Sequence, residues 1–129
     1  MKIPFEEKSK LKKKIGSSGE VRAKEYFIQN GYEIVASNFR SKKGEIDFIA
    51  VRENSIIFVE VKTLLSKDPE LLARELNSKK QKRIIETAKY FLAIHREYSN
   101  SLVRFDVVVI DMPGYPPVYH IENAFAEFS

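Results

Sequence analysis

Apolar and polar positions along the chain follow patterns that predict helices and strands in turn. Residues 17–30 show helical spacing. Ser17 and Glu20 stand at capping-box distance, and Gly31 can adopt the left-handed conformation that ends a helix. We therefore predict a first helix that begins in residues 17–20 and runs to Asn30.

Five later stretches are predicted to be strands, because they alternate apolar with polar residues or are rich in β-branched ones. They cover residues 32–39, 45–51, 56–61, 103–111 and 118–121. The second and third are separated only by the turn at residues 52–55, so we expect them to be antiparallel neighbours.

A second helical region is predicted from Asp68-Pro69, a cap followed by proline at the first helical position, to about Tyr98. A break is expected near Asn77-Ser78. Its buried stripe has helical spacing and comprises Ile84, Ile85, Ala88, Phe91 and Leu92. The order αβββαβ with a final strand predicts an α/β fold, a mixed β-sheet flanked by helices.

Length and composition narrow the class of protein. A chain of 129 residues with 43% apolar residues suits one compact domain, and the lack of cysteine excludes disulfides, thiolate metal sites and a catalytic thiol. No apolar run approaches the roughly 20 residues that cross a bilayer. The N-terminus lacks the apolar stretch of a secretory signal, so we expect a cytoplasmic protein without a membrane partner.

The net charge of +4 comes from one end of the chain. Residues 1–14 contain six lysines and two glutamates, whereas residues 15–129 carry 16 basic and 16 acidic groups. We expect a basic, flexible tail over residues 1–14, either merely solvated or an arm that attracts phosphate, and a single domain over residues 15–129.

Acidic residues occur within two of the predicted strands. Regular alternation in residues 44–50 places Asp47 on one face, opposite a set of apolar side chains: Ile46, Phe48 and Ala50. In residues 58–62, Glu60 and Lys62 share a face. Asp47, Glu60 and Lys62 are therefore expected to converge, at a desolvation cost that a function or mutual ion pairing must offset.

This set suits phosphodiester hydrolysis with Mg²⁺ or Mn²⁺, which prefer oxygen ligands. Asp47 and Glu60 would hold the metal, and the Val61 carbonyl could supply another oxygen. Lys62 would orient or help deprotonate a metal-bound water and pair with the phosphate. The alternative is a cross-strand salt-bridge ladder without catalysis.

Glu20 is a candidate fourth member of the site. It lies near the middle of an apolar arc on the first helix, made of Val21, Ala23, Phe27 and Ile28. A carboxylate that faces the sheet there could bind the metal through water or hold a second ion. The alternative is that Glu20 only completes the capping box with Ser17.

Two basic clusters are candidates for phosphate contacts. Lys80 and Gln81 begin the stripe of the second helix and could overhang the site, and Arg40 and Lys43 belong to the turn after the first predicted strand. A solvated helix face is the alternative for the helical cluster. Asp106 is expected to pair with an arginine. The two histidines, His95 and His120, are isolated in the sequence, and a structural role is expected for both.

The motifs together resemble the YraN family of predicted endonucleases. The resemblance covers roughly residues 16 to 126, and its motifs are Gly19-Glu20, Gly31-Tyr32, Asn38-Phe39-Arg40, residues 44–50, residues 58–62 and residues 104–108. That family is similar to the restriction-endonuclease-like superfamily, with its PD-(D/E)xK site, and to archaeal Holliday-junction resolvases.

The resemblance implies an αβββαβ core, a DNA substrate and a divalent metal. We expect no small-molecule cofactor. Four residues match the nuclease site: Glu20, Asp47, Glu60 and Lys62. Two cuts of the resolvase type would suit a homodimer. One departure is Thr63-Leu64-Leu65, where such proteins usually carry an arginine.

A metal-dependent DNA endonuclease is therefore the leading hypothesis, with branched or repair intermediates as candidate substrates. A nucleic-acid-binding module that does not cleave, and an adaptor that recognises a protein partner, are the alternatives. Retention of Lys62 beside Glu60 favours the enzyme.

Overall fold

The computed structural model describes residues 18–65 and 69–126. The predicted tail at residues 1–14, the cap residue Ser17 and the predicted cap Asp68 lie outside the described residues. The boundaries of the strands are β1 Glu33–Arg40, β2 Glu45–Arg52, β3 Ser55–Thr63, β4 Leu102–Ile110 and β5 Val118–Phe125. The helical elements are α1 at 18–29, α2 Pro69–Glu75, α3 Ser78–Ile94 and a short 3-10 helix, Arg96–Tyr98.

The strands form one five-stranded sheet in the order β1-β2-β3-β4-β5. β1, β2 and β3 pair antiparallel, β3 and β4 pair parallel, and β5 returns antiparallel to β4. The parallel pair is joined through α2 and α3, as a parallel connection requires a long crossover. This confirms the predicted α/β fold with a mixed sheet.

Helices cover both faces of the sheet. Ala23 and Phe27 of α1 pack against alternate residues of the central strands, among them Phe48 and Val59, while the buried side of α3 packs on the opposite face. The arc predicted for α1 is wrong in part, because Val21 is 48% and Ile28 57% exposed. Only a narrow stripe of the helix reaches the sheet.

The predicted break between the two later helices is confirmed. The Asn77 side chain accepts a hydrogen bond from the Lys80 N–H at 3.0 Å and donates one to the Arg74 carbonyl at 3.1 Å. One asparagine thus ends α2 and caps the start of α3. None of the helices in the described segments is long and apolar enough to cross a membrane.

Strand β2 does not alternate regularly, which corrects the expectation for Ile46, Phe48 and Ala50. Phe48 and Ala50 pack on the α1 side, but Ile46 packs on the α3 side together with Ile49. The change of phase falls at Asp47. On β1, Phe39 pairs with Ile46 and Ser37 pairs with Phe48. Asn38, which lies between these two partners, has a positive φ of 52°. An irregularity shared by both strands therefore sets the direction of Asp47.

Candidate functional site

Asp47 lies where β2 and β3 separate. The paired register of the two strands ends at Phe48 and Val59, so Asp47 and Glu60 are the first residues beyond it. Asp47 Oδ2 accepts a hydrogen bond from the Val61 N–H at 2.7 Å. A side chain thereby satisfies a backbone donor at the point where the ladder stops, and this contact holds the Asp47 carboxylate beside β3.

Glu60 is nearly buried, with 8% of its surface exposed, and two lysines approach one of its oxygens. Lys80 Nζ lies 3.4 Å from Glu60 Oε1, and Lys62 Nζ lies 3.9 Å from the same atom. Lys62 also pairs with Glu75 of α2 at 3.3 Å. Charges from β3, α2 and α3 thus meet at the open end of the sheet.

Glu20 reaches this region because α1 lies very close to β3. A Cβ added to Gly19 would stand 2.9 Å from Thr63 Oγ1, a separation that real Cβ atoms do not show. Glycine therefore permits the approach. Glu20 then comes within the electrostatic range of Asp47, and its own helix supplies Lys24 at 4.0 Å.

The three carboxyl groups of the site, those of Glu20, Asp47 and Glu60, all have raised pKa values. Burial raises the pKa of Glu60 to about 7, with a further contribution from Asp47 that the two lysines only partly oppose. Burial also raises the pKa of Asp47, although the Val61 N–H lowers it. The pKa of Glu20 rises through burial and then through Asp47. Burial is thus the main cause of all three shifts, and the Asp47 carboxylate adds to it for Glu20 and for Glu60.

The pKa values of Lys62 and Lys80 are shifted in opposite directions. Burial lowers the pKa of Lys62, but its contacts, including those with Glu60 and Glu75, outweigh that effect and the net shift is upward. Burial lowers the pKa of Lys80, and the nearby Lys62 lowers it further. Lys62 is therefore a fixed positive charge, whereas Lys80 gives up its proton more readily than an ordinary lysine.

A pocket of about 350 Å³ opens over these groups, with walls from Gly44, Glu45, Asp47, Glu60, Lys80, Arg83 and Ile84. Gly44 brings the β1–β2 turn against α3, since an added Cβ would lie 3.3 Å from both Arg83 Cβ and Thr87 Oγ1. Within residues 18–65 and 69–126, no three Asp, Glu, His or Cys side chains are arranged to hold a metal on their own. A metal here would rely on fewer carboxylates, completed by water or substrate.

The residues predicted to contact nucleic acid are not gathered at one point. Lys80 lines the acidic pocket. Gln81 lies outside it and donates to the Leu76 carbonyl at 2.7 Å, so its amide supports the bend before α3. Arg40 and Lys43 line a separate pocket, where Arg40 pairs with Glu45 at 3.5 Å.

Two residues at the site are not among the predicted site residues. Arg83 belongs to the basic run at the start of α3 and stands three positions after Lys80, so helical spacing could have placed it on the same wall. Glu75 offered no comparable signal, because its contact with Lys62 depends on how α2 folds back over the sheet. The Thr63-Leu64-Leu65 departure has a packing role: Leu64 is buried in the core, and its N–H donates to the Ile110 carbonyl at 3.0 Å.

Asp106 does pair with an arginine, as expected. Arg104 contacts both of its carboxylate oxygens at 2.8 Å, and the Asn123 N–H donates to it at 3.0 Å. His120, for which a structural role is expected, joins this cluster, since its Nε2 lies 2.6 Å from Asp106 Oδ2. His95 stacks on Phe91 with ring centres 4.1 Å apart.

Comparison with known proteins places the chain in a family. A sequence profile described as "Uncharacterised protein family UPF0102" matches residues 19–110. The chain belongs to UPF0102. A UPF0102 protein of Treponema pallidum (strain Nichols) is 41% identical over 122 residues, which is 92% of this chain and 97% of that protein.

Other UPF0102 proteins show similar agreement. The protein of Caldicellulosiruptor bescii is 45% identical over 102 residues, covering 79% of this chain and 86% of its own. That of Rhodopseudomonas palustris (strain BisB18) is 41% identical over 110 residues, covering 85% and 78%. The UPF0102 match contains Glu20, Asp47, Glu60, Lys62 and Lys80, but ends before β5.

Proposed function

We propose that this UPF0102 protein is a metal-dependent DNA endonuclease on a restriction-endonuclease-like fold. The observation that carries the proposal is the meeting of Asp47, Glu60 and Lys62 at the point where β2 and β3 separate. An isolated ion pair would not need a pocket over it. Here the pocket gives access to the two carboxylates and is flanked by Lys80 and Arg83.

The donor set fits Mg²⁺ or Mn²⁺. Asp47 and Glu60 would hold the ion, the Val61 carbonyl could add an oxygen, and Glu20 would act through water. Three carboxyl groups with raised pKa values are a site whose charge a divalent cation would balance. When bound, the ion would supply an activated water and charge stabilisation on the phosphate.

The lysines have separate roles in this proposal. Lys62, held protonated by Glu60 and Glu75, would pair with the scissile phosphate and stabilise the negative charge that develops on it. Lys80 lines the pocket and contacts the same oxygen of Glu60, and its lowered pKa suits it to exchange a proton with water. Basic side chains beside the pocket support a polyanionic substrate such as DNA.

A non-cleaving nucleic-acid-binding module is the second candidate, and one observation favours it. Lys62 and Lys80 already contact Glu60, so much of the carboxylate charge is compensated without a metal. On this reading the cluster would be a salt-bridge network that stabilises the open end of the sheet.

The deciding experiment incubates the purified protein with single-stranded, duplex and branched DNA in Mg²⁺ or Mn²⁺, with EDTA as the reference. We expect cleavage that Asp47→Asn and Lys62→Met abolish. Glu25→Gln is the matched control, because Glu25 is an exposed carboxylate on the same helix as Glu20. Cleavage that persists in both site variants would assign the activity to a contaminant, and binding without cleavage would favour the second candidate.

A further inference from the structure

A second, larger pocket lies beside the candidate site. It has a volume of about 630 Å³ between the β1–β2 turn and α3. Its walls carry basic side chains together with one aromatic ring, and they include Arg40, Lys42, Lys43, Lys89 and Tyr90.

The two pockets are connected by a third depression of about 520 Å³. Arg83 lines both this depression and the acidic pocket, while Lys43 and Glu86 line both this depression and the larger pocket. We call the surface formed by the larger pocket and this depression the α3 groove. Along the helix it extends from Lys79 to Tyr90, about 16 Å at 1.5 Å per residue.

The α3 groove concentrates positive charge in a domain that is neutral overall. Among the described residues, seven basic side chains line the groove and only Glu86 is acidic. The seven are Arg40, Lys42, Lys43, Lys79, Lys82, Arg83 and Lys89. Since residues 15–129 hold 16 basic and 16 acidic groups, this is a strong local excess. A continuous positive groove of this kind suits a phosphate backbone.

The ring of Tyr90 supplies a contact that phosphate alone would not need. Tyr90 is 50% exposed, and it stacks on Phe39 with ring centres 6.0 Å apart and planes 28° from parallel. Phe39 is in turn held edge-on by Phe91 at 5.1 Å. An aromatic ring supported from behind and exposed in front, beside several cations, is a platform for a nucleobase.

The wall opposite α3 is tied in place. The Ser41 N–H donates to the Gly44 carbonyl at 2.9 Å, and the Ser41 hydroxyl accepts from the Lys43 N–H at 3.1 Å. The same hydroxyl lies 3.2 Å from Thr87 Oγ1 of α3. The groove is therefore formed before a ligand arrives, which reduces the ordering cost of binding.

We propose that the α3 groove binds a single-stranded segment of DNA, with its phosphates on the lysines and an unpaired base stacked on Tyr90. Bases within a duplex are already stacked on each other, so only an unpaired strand offers a free face to Tyr90. If the protein has the proposed nuclease activity, its substrate class would be DNA with an unpaired arm beside the cleaved strand. This statement about the substrate rests on the proposed function.

Binding is measured by fluorescence anisotropy in EDTA, with a 15-nucleotide single strand and a duplex of equal length. We expect the single strand to bind more tightly and Tyr90→Ala to weaken it about tenfold, leaving duplex binding unchanged. Tyr90→Phe should bind like the wild type. Tyr115→Ala is the matched control, because Tyr115 is 43% exposed but lies between β4 and β5, outside the groove.

Tyr90→Leu guards against a folding artefact, since leucine keeps an apolar contact with Phe39 but removes the ring. It should lose affinity as Tyr90→Ala does, with an unchanged melting temperature. The double variant Lys43→Ala/Lys82→Ala should reduce the slope of log affinity against log salt by about 1.4, the value for two lost phosphate contacts on a single strand.

Equal affinity of the wild type, Tyr90→Ala and Tyr90→Leu for the single strand would overturn the proposal, as would tight binding of single-stranded RNA alone. Neither readout needs metal or cleavage. A protein that binds single strands through Tyr90 but never cuts would contradict the proposed nuclease function alone. If Tyr90→Ala changed neither the cleavage of flapped DNA nor the binding of single strands, only the proposal for the α3 groove would be contradicted.

Discussion

Asp47 Oδ2 lies 2.7 Å from the Val61 backbone nitrogen. A side chain of β2 thus accepts a hydrogen bond from a backbone N–H of β3, just beyond the last paired residues of the two strands. The contact fixes a carboxylate next to Glu60 without using an ion pair. Burial is the main reason why the pKa of Glu60 is raised, and the Asp47 carboxylate held beside it raises that pKa further.

Replacing Asp47 by asparagine should lower the pKa of Glu60. The amide oxygen can still accept the Val61 N–H, but the neighbouring charge that raises the Glu60 pKa is gone. Carbon-detected NMR titration of the Glu60 carboxyl should show a value of about 7 in the wild type and a lower one in Asp47→Asn. An unchanged Glu60 pKa would mean that the two carboxylates do not interact.

Metal binding should depend on pH near neutrality. The ion requires ionised Glu60, whose pKa is about 7, so protons compete below that value and the affinity should fall up to about tenfold per pH unit. The thermal stabilisation by Mn²⁺ should therefore be larger at pH 8 than at pH 6, and absent in Asp47→Asn. Mn²⁺ stabilisation of equal size in Asp47→Asn would place the ion elsewhere.

Asp106 should be the most costly single carboxylate to neutralise. It is fully buried and contacts Arg104, His120 and the Asn123 N–H. Asp106→Asn leaves buried partners unmatched and should reduce the free energy of unfolding by about 3 to 5 kcal/mol at pH 7, measured with urea.

The stability that Asp106 contributes should depend on pH, and Asp111→Asn serves as the control variant. Although burial opposes it, hydrogen bonds from His120 and Arg104 give Asp106 a net lowered pKa, so its contribution is present above the unfolded pKa and is lost as pH falls through the folded one. The difference between wild type and variant should shrink in acid. Asp111→Asn breaks an exposed pair with Arg22 and should cost only about 0 to 1 kcal/mol.

Gly19→Ala should push α1 away from β3. The new Cβ would meet Thr63 Oγ1 at 2.9 Å, and the resulting shift should cost about 1 to 3 kcal/mol of stability and displace Glu20 from Asp47. Thr63→Ala removes the atom that is struck. The double variant should therefore be more stable than the sum of the single changes allows, which a double-mutant cycle measures.

Secondary structure was largely predictable because it depends on local pattern. The break at Asn77, the stop at Gly31 with its φ of +85°, and the antiparallel β2–β3 pair all occur where the sequence places them. Boundaries differ where tertiary contacts extend or shorten an element. β5 runs to Phe125 because its last residue enters the core beside Phe105, and α3 ends at Ile94, before the predicted Tyr98.

The candidate site was predictable only in part. Asp47, Glu60 and Lys62 lie on strands joined by a short turn, so their proximity follows from local connectivity. The direction of Asp47 does not, because it depends on an irregularity shared by β1 and β2 that interrupts the alternation of side chains.

The sequence by itself determined the α/β class, the order of the elements and the three residues at the end of the central hairpin, since periodicity and short turns act between near neighbours. Only the tertiary structure decided that Glu75 meets Lys62, that His120 meets Asp106, and that seven cations share a groove with Tyr90. Those contacts join residues distant in sequence, and packing across the two faces of the sheet brings them together.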